Sequence, residues 1–363
     1  MNDRLNAICP YFAMFPLVYP MDMIKRYGGF NILDPFCGRG TTNIAARLNN
    51  AFTVGVDSSP VAFAISQSKM VNVNPEAIVS ECNNILSSSI ADLVPDGEFW
   101  RMMYDKKTLN DVCKVRDSLL EDCSSPERMA LRGLIMGALH GPLRKDGSTS
   151  YLSNQFPRTF ASKPEYSVNY WKNKGLVRPP KVSLIDVVKE RAWRYYSNDI
   201  PDSGGFILNS DSTKQSTFSM IDTMTSGRKF DLVVTSPPYI GMCTYVPDQW
   251  IRNWFVGGPS FVNYDCKGQI HNGEKKFIEE LRKVWKNCET VCETGAIIAI
   301  RFGNIGSYDK DPIEIINKTL DGTSWIDAEM FDAGAPRKGR RMSDTFNTKT
   351  KNYNEIDVVA SLY

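Results

Sequence analysis

The stretch Asn31-Ile32-Leu33-Asp34-Pro35-Phe36-Cys37-Gly38-Arg39-Gly40-Thr41-Thr42 decides how this chain is read. The apolar run beginning at Phe30 stops at Asp34, a glycine-bearing turn follows, and Thr41 to Leu48 has the composition of a helix. Strand, tight loop and helix in that order bring backbone close to a ligand, and the helix N-terminus favours a negative group there. A second unit follows in register: Phe52 to Val56 ends at Asp57, and Pro60 opens another helical stretch. Asp57 stands 23 residues after Asp34, at the end of the next strand, where an acid can accept hydrogen bonds from ribose hydroxyls.

Working outward, Phe206 to Leu208 before Asp211, Leu232 to Val234 before Ser236, and Ala296 to Ile300 before Arg301 are continuous apolar runs. Such runs suit strands covered on both faces. Ile356 to Leu362 is expected to close the sheet. The fold class is therefore α/β, a Rossmann-like doubly wound core. Between residues 76 and 205 the rhythm changes to helical segments, Leu109 to Leu120, Pro126 to Leu139 and Leu184 to Tyr196. The expected organisation is a core of residues 1-75 and 206-363 interrupted by a mainly helical insertion at 76-205.

A chain of 363 residues with 42% apolar and 23% charged residues can bury a sizeable core. No run approaches the roughly eighteen apolar residues that a membrane span requires, and the N-terminus lacks a secretion-signal layout. A cytoplasmic location is expected. Nine cysteines, an odd number at irregular spacing, read as reduced thiols. Cys288 and Cys292 fall four apart on an expected helix, near Cys266 and His271, but no CxxC pair accompanies them and no metal site is assigned.

A net charge of +2 announces no nucleic-acid partner, so any such footprint must be local. Between Gly141 and Tyr195 eleven Lys or Arg stand against four Asp or Glu, among eight aromatics that include Tyr151, Phe156, Phe160, Tyr166, Tyr170 and Trp171. Basic groups neutralise phosphates and aromatics stack on exposed bases. Segment 141-195 and the basic loop 337-341 (Arg337, Lys338, Arg340, Arg341) are the candidate contacts with DNA.

The loop lacks the third glycine of a dinucleotide fingerprint. It resembles instead the first cofactor motif of amino-methylating DNA methyltransferases, a pattern close to DPFxGxGT. Thr235-Ser236-Pro237-Pro238-Tyr239 matches the catalytic (D/N/S)PPY motif of the same family, and Phe12-Ala13-Met14-Phe15-Pro16 is similar to the small motif that precedes the loop. The resemblance is specific over residues 9-60 and 206-240. It implies S-adenosylmethionine as cofactor, held by Phe12, Phe15, Asp34, Phe36, Gly38, Gly40, Thr41 and Asp57, with Asp211 toward the adenine ring. It implies that Ser236 and the Pro237 carbonyl accept hydrogens of the target amine, that Pro238 stiffens the turn, and that Tyr239 stacks on a flipped base, a role in which Phe should substitute.

An exocyclic base amine is a poor nucleophile because its lone pair is delocalised into the ring, so an enzyme must hold and align it. The chain has no Pro-Cys pair of the kind that C5-cytosine enzymes use. Serine in the first motif position points to cytosine N4, with adenine N6 as the alternative. An RNA base amino-methyltransferase and a non-catalytic nucleic-acid-binding subunit remain open readings, and a restriction-modification context would supply a companion restriction endonuclease.

Overall fold

The computed structural model describes residues 4–11, 15–142, 150–156, 161–240, 245–264, 270–271, 273–303, 311–334 and 355–363. The chain divides into two compact units, each built from separate segments. One takes residues 12–66, 201–243 and 266–363; the other takes 1–11, 67–200 and 244–265.

The first unit is built on a seven-stranded sheet. Its strands are β1 (Asn31–Asp34), β2 (Phe52–Asp57), β3 (Gly205–Asn209), β4 (Phe230–Thr235), β5 (Cys292–Gly303), β6 (Trp325–Gly334) and β7 (Glu355–Leu362). The order is β3-β2-β1-β4-β5-β7-β6. Strands β1 to β5 pair in parallel, and β7 runs antiparallel to both β5 and β6. The final apolar run thus lies inside the sheet, bonded on both sides.

Alternation along the strands assigns the two faces. Ile32, Leu232, Val234, Ala299 and Val359 pack with Tyr19, Ile24, Ala45 and Ala46 from the helices Val18–Tyr27 and Thr41–Leu48. Leu33, Val54, Val233 and Ile298 pack on the other side with Phe218, Phe277, Leu281 and Trp285 from the helices Gln215–Met224 and Glu274–Glu289. Helices on both faces of a mainly parallel sheet make the unit Rossmann-like and doubly wound. Cys288 and Cys292 belong to this second core layer, and burial pushes both thiols up.

The second unit is mainly helical, and its helices start where the sequence supplies caps. The side chains of Asn74, Asp105, Ser125 and Ser183 accept backbone N–H groups of the helices Pro75–Ser88, Lys106–Glu121, Pro126–Ala138 and Leu184–Tyr196. Its core is aromatic: Phe99 lies 5.5 Å from Trp171 and 5.0 Å from Trp250, and Trp171 lies 5.2 Å from Phe156. Its bounds differ from the expected 76–205, because residues 4–11 and 245–264 also pack in it. Buried Lys69 fixes the first of these segments by donating to the backbone and side-chain oxygens of Asn6, both at 3.2 Å. Among the described residues no helix is long and apolar enough to cross a membrane.

Candidate active site

The strand order reverses between β1 and β4, and ligands of open α/β sheets bind beyond the carboxyl ends of strands at such a point. The loops that leave β1, β2, β3 and β4 carry Asp34, Phe36, Gly38, Gly40, Thr41, Asp57, Asp211 and the Ser236–Tyr239 stretch. The fold therefore gathers nearly all the residues singled out from sequence at one end of the sheet. Phe15 lies before the helix Val18–Tyr27, edge-on to Tyr19 at 5.2 Å. Phe12 lies outside the described residues.

Asp34 joins the two motifs. One carboxylate oxygen accepts the Phe36 N–H at 3.1 Å and the Thr235 hydroxyl at 2.7 Å, so the end of β1 is bonded to the end of β4. Thr42 adds a second tie by donating to the Val234 carbonyl at 3.2 Å. Among the described residues the other oxygen, Oδ2, is buried and makes no hydrogen bond of good geometry, although the Thr42 hydroxyl is near enough to favour the ionised carboxylate. Burial drives the Asp34 carboxyl up to about 6, against the lowering effect of its hydrogen bonds. An orphaned buried acceptor of this kind calls for a donor or a cation from a ligand.

Asp57 holds the glycine loop from the next strand. Its oxygens accept the Gly38 N–H at 2.9 Å and the Ser59 N–H at 2.8 Å, and burial lifts its carboxyl to about 6 in spite of them. Gly40 has φ 75°, and a Cβ there would come within 2.9 Å of the Ser66 Cβ. Both conformation and space demand glycine, and the result is a bare backbone loop leading into the helix Thr41–Leu48, whose N-cap carries no side-chain bond. Beyond β3, Asp211 Oδ1 accepts the backbone N–H and hydroxyl of Thr213 at 2.8 and 2.7 Å. Ser212 ties this loop to the first by donating to the Pro35 carbonyl at 2.7 Å. Phe36 sits edge-on to Trp285 at 6.2 Å.

After β4 the two prolines end the ladder. Pro237 is buried, whereas Ser236, Pro238 and Tyr239 are half-buried. The Tyr239 ring meets Phe302 edge-on at 5.6 Å, and its hydroxyl donates to Glu355 Oε1 at 3.2 Å. Arg301 makes a bidentate pair with Asp357 at 2.8 and 2.7 Å, and its guanidinium lies 3.9 Å from the centroid of the buried Tyr19 ring. Sequence reading missed Tyr19, Arg301, Glu355 and Asp357; the one available signal was an arginine ending an apolar strand.

The expected nucleic-acid residues divide differently. Arg144, Lys145, Arg158, Phe160 and the loop 337–341 lie outside the described residues. Phe156 and Trp171 are fully buried, so they are core residues of the helical unit and cannot stack on bases. Lys172 is paired with Glu98 at 2.7 Å. Exposed on the helix Pro164–Asn173 and its ends are Lys163, Tyr166 and Lys174, with Tyr170 half-buried. Positions 163, 166, 170 and 174 share one helical face. Lys163 also stands over the exposed Tyr264 ring at 5.1 Å.

No family model and no curated protein matches the chain. Among solved structures it is similar to the rRNA methyltransferase aviRa from Streptomyces viridochromogenes, with a TM-score of 0.37 and 12% identity over 99% of this chain and 93% of that one. It is also similar to TrmN from Thermus thermophilus, with a TM-score of 0.37 and 8% identity over 99% of this chain and 53% of that one. Likenesses this faint carry no weight on what the chain does.

Proposed function

We propose that this chain is an S-adenosylmethionine-dependent methyltransferase acting on an exocyclic base amine of DNA, cytosine N4 first. The observation that carries the reading is the bond between Asp34 and Thr235, which locks a glycine loop of cofactor type to the strand that delivers Ser236–Tyr239. The donor set fits such a cofactor. Asp34 Oδ2 is a buried acceptor suited to the ammonium of an amino-acid moiety, and the bare loop at Gly38–Gly40 admits a ligand against the backbone. Asp57 holds that loop, and its remaining lone pairs can accept ribose hydroxyls.

S-adenosylmethionine supplies an electrophilic methyl group on a sulfonium. The protein's task is to present the amine. The Ser236 hydroxyl and the Pro237 carbonyl accept its hydrogens, drawing the lone pair toward the methyl, and the Tyr239 ring stacks on the base. Transfer of the methyl group would leave the amine with one proton too many, and that proton would pass to solvent. Asp211 would lie toward the adenine ring, and the face bearing Lys163, Tyr166, Tyr170 and Lys174 would meet nucleic acid in the helical unit.

The test is a product analysis: incubate the chain with S-adenosylmethionine and either DNA or RNA, digest to nucleosides, and identify the methylated base by mass spectrometry. N4-methylcytosine from DNA is the expected product. N6-methyladenine would move the target, a methylated RNA nucleoside would move the substrate, and no product would refute the reading.

A further inference from the structure

Tyr239 is held from outside its own motif. Gly303 ends β5 and is paired across the ladder with Glu355, the first residue of β7. A Cβ on Gly303 would lie 3.2 Å from Glu355 Cγ and 3.2 Å from Tyr239 Cε2. The backbone there is not left-handed, and a side chain would press on both the Tyr239 ring and Glu355, so glycine leaves room for the ring where it passes to reach Glu355. The ring then donates its hydroxyl to Glu355 Oε1 and rests its flank on Phe302, which sits beside Gly303 on β5. Two residues along the same two strands, Arg301 and Asp357 form a bidentate pair on the face that Gly303 and Glu355 share. Burial works to lower the Arg301 guanidinium, but its bonds to Asp357 and, more weakly, the charges of Tyr19 and Glu355 raise it.

From this geometry we infer that Glu355 is a positioning residue for the candidate reaction, a latch that fixes the plane of the Tyr239 ring for stacking on the target base. The inference rests on the functional reading above and adds to it a requirement that the sequence motif does not contain. A ring needed only for its face would work equally well as phenylalanine. A ring that must be held in one plane needs its hydroxyl and the acceptor that receives it. Without the bond the ring can rotate about its χ angles and stacks for a smaller fraction of the time, which lowers the rate of methyl transfer without altering the cofactor loop.

The experiment is a double-mutant cycle on the full chain, measuring single-turnover methylation, S-adenosylhomocysteine affinity and melting temperature. Tyr239→Phe and Glu355→Ala should each slow methyl transfer about fivefold to tenfold, the worth of one hydrogen bond. The double variant should be no slower than either single one. Glu355→Gln retains an acceptor oxygen and should stay within about twofold of the wild type. S-adenosylhomocysteine affinity and folding should be unchanged in all four, which a general structural defect would not permit. Additive losses in the double variant, or wild-type rates in Glu355→Ala, would overturn the latch alone. A wild-type chain that binds the cofactor product yet methylates neither DNA nor RNA would overturn the functional reading and the latch with it.

Discussion

The end of the sheet and the surface of the helical unit use polar and aromatic residues in opposite ways. At the sheet end, buried or half-buried polar groups are bonded from one element to another: Asp34 to Thr235, Asp57 to Gly38, Ser212 to Pro35 and Tyr239 to Glu355. In the helical unit the large aromatics fill the core together with a few buried, bonded cations such as Lys69 and Arg252, while at its surface charges stand in exposed pairs such as Lys172–Glu98 and Arg101–Asp96. Exposed pairs contribute little to stability. Groups fixed by several bonds in a low-dielectric place can align a reaction, whereas mobile surface cations suit a partner that offers many equivalent phosphates. On the proposed reading, the first region carries the chemistry and the second meets nucleic acid.

The strongest way to break that division is at Asp34. Its ionised form is the acceptor for an ammonium, and burial holds its carboxyl at about 6, above the ordinary value of 3.8. S-adenosylhomocysteine affinity should therefore rise with pH between about 5 and 7, by at most about tenfold per pH unit. Asp34→Asn should bind at least about tenfold more weakly at pH 7 and lose most of this dependence. Calorimetry across that range checks it, and an unchanged profile in the variant would remove Asp34 from the cofactor site. Folding stability has the opposite dependence. Because Asp34 and Asp57 are both raised, the folded state is favoured below the unfolded value and loses stability as pH rises toward about 6, where the loss levels off.

A smaller effect sharpens the contrast at the helical surface. If Lys163 and Lys174 meet phosphates, replacing both with alanine should weaken DNA binding several-fold. It should also lower the slope of log K against log salt by about 0.9 for each phosphate that is no longer neutralised. Cofactor affinity should not change. A slope that survives the double replacement would return this face to the status of a solvated surface.

Much of this arrangement was legible in the sequence, for physical reasons. Strands β1, β2 and β4 are largely buried and so read as unbroken apolar runs, and with the half-buried edge strand β3 they lead to Asp34, Asp57, Ser236 and Asp211, whereas Arg301 lies within β5 itself. Strand β6 escaped notice because it is an edge strand whose residues Ile326 to Glu329 are exposed, so Trp325–Gly334 shows no such run. The place of β7 inside the sheet depends on pairing partners, which a strand's own composition does not encode. Gly38 and Gly40 could be found because the turn they make is local, and Asp34 because it ends an apolar run. Glu355 and Tyr19 could not, since what makes them part of the site is topology: Glu355 lies 116 residues from Tyr239 in the chain and bonds to it. The helical unit was similarly blurred, because residues 4–11 and 245–264 join it from outside the contiguous stretch.

If methyl transfer takes place at the end of β4, Ser236→Ala should slow it and leave binding intact. The Ser236 side chain is half-buried and lies outside the core, so the variant should fold. Removing one acceptor used in the transition state should slow single-turnover methylation by about a hundredfold to a thousandfold. S-adenosylhomocysteine and DNA affinities should stay within about twofold of the wild type. A folded Ser236→Ala variant that methylates at the wild-type rate would contradict the account and place the chemistry elsewhere in the chain.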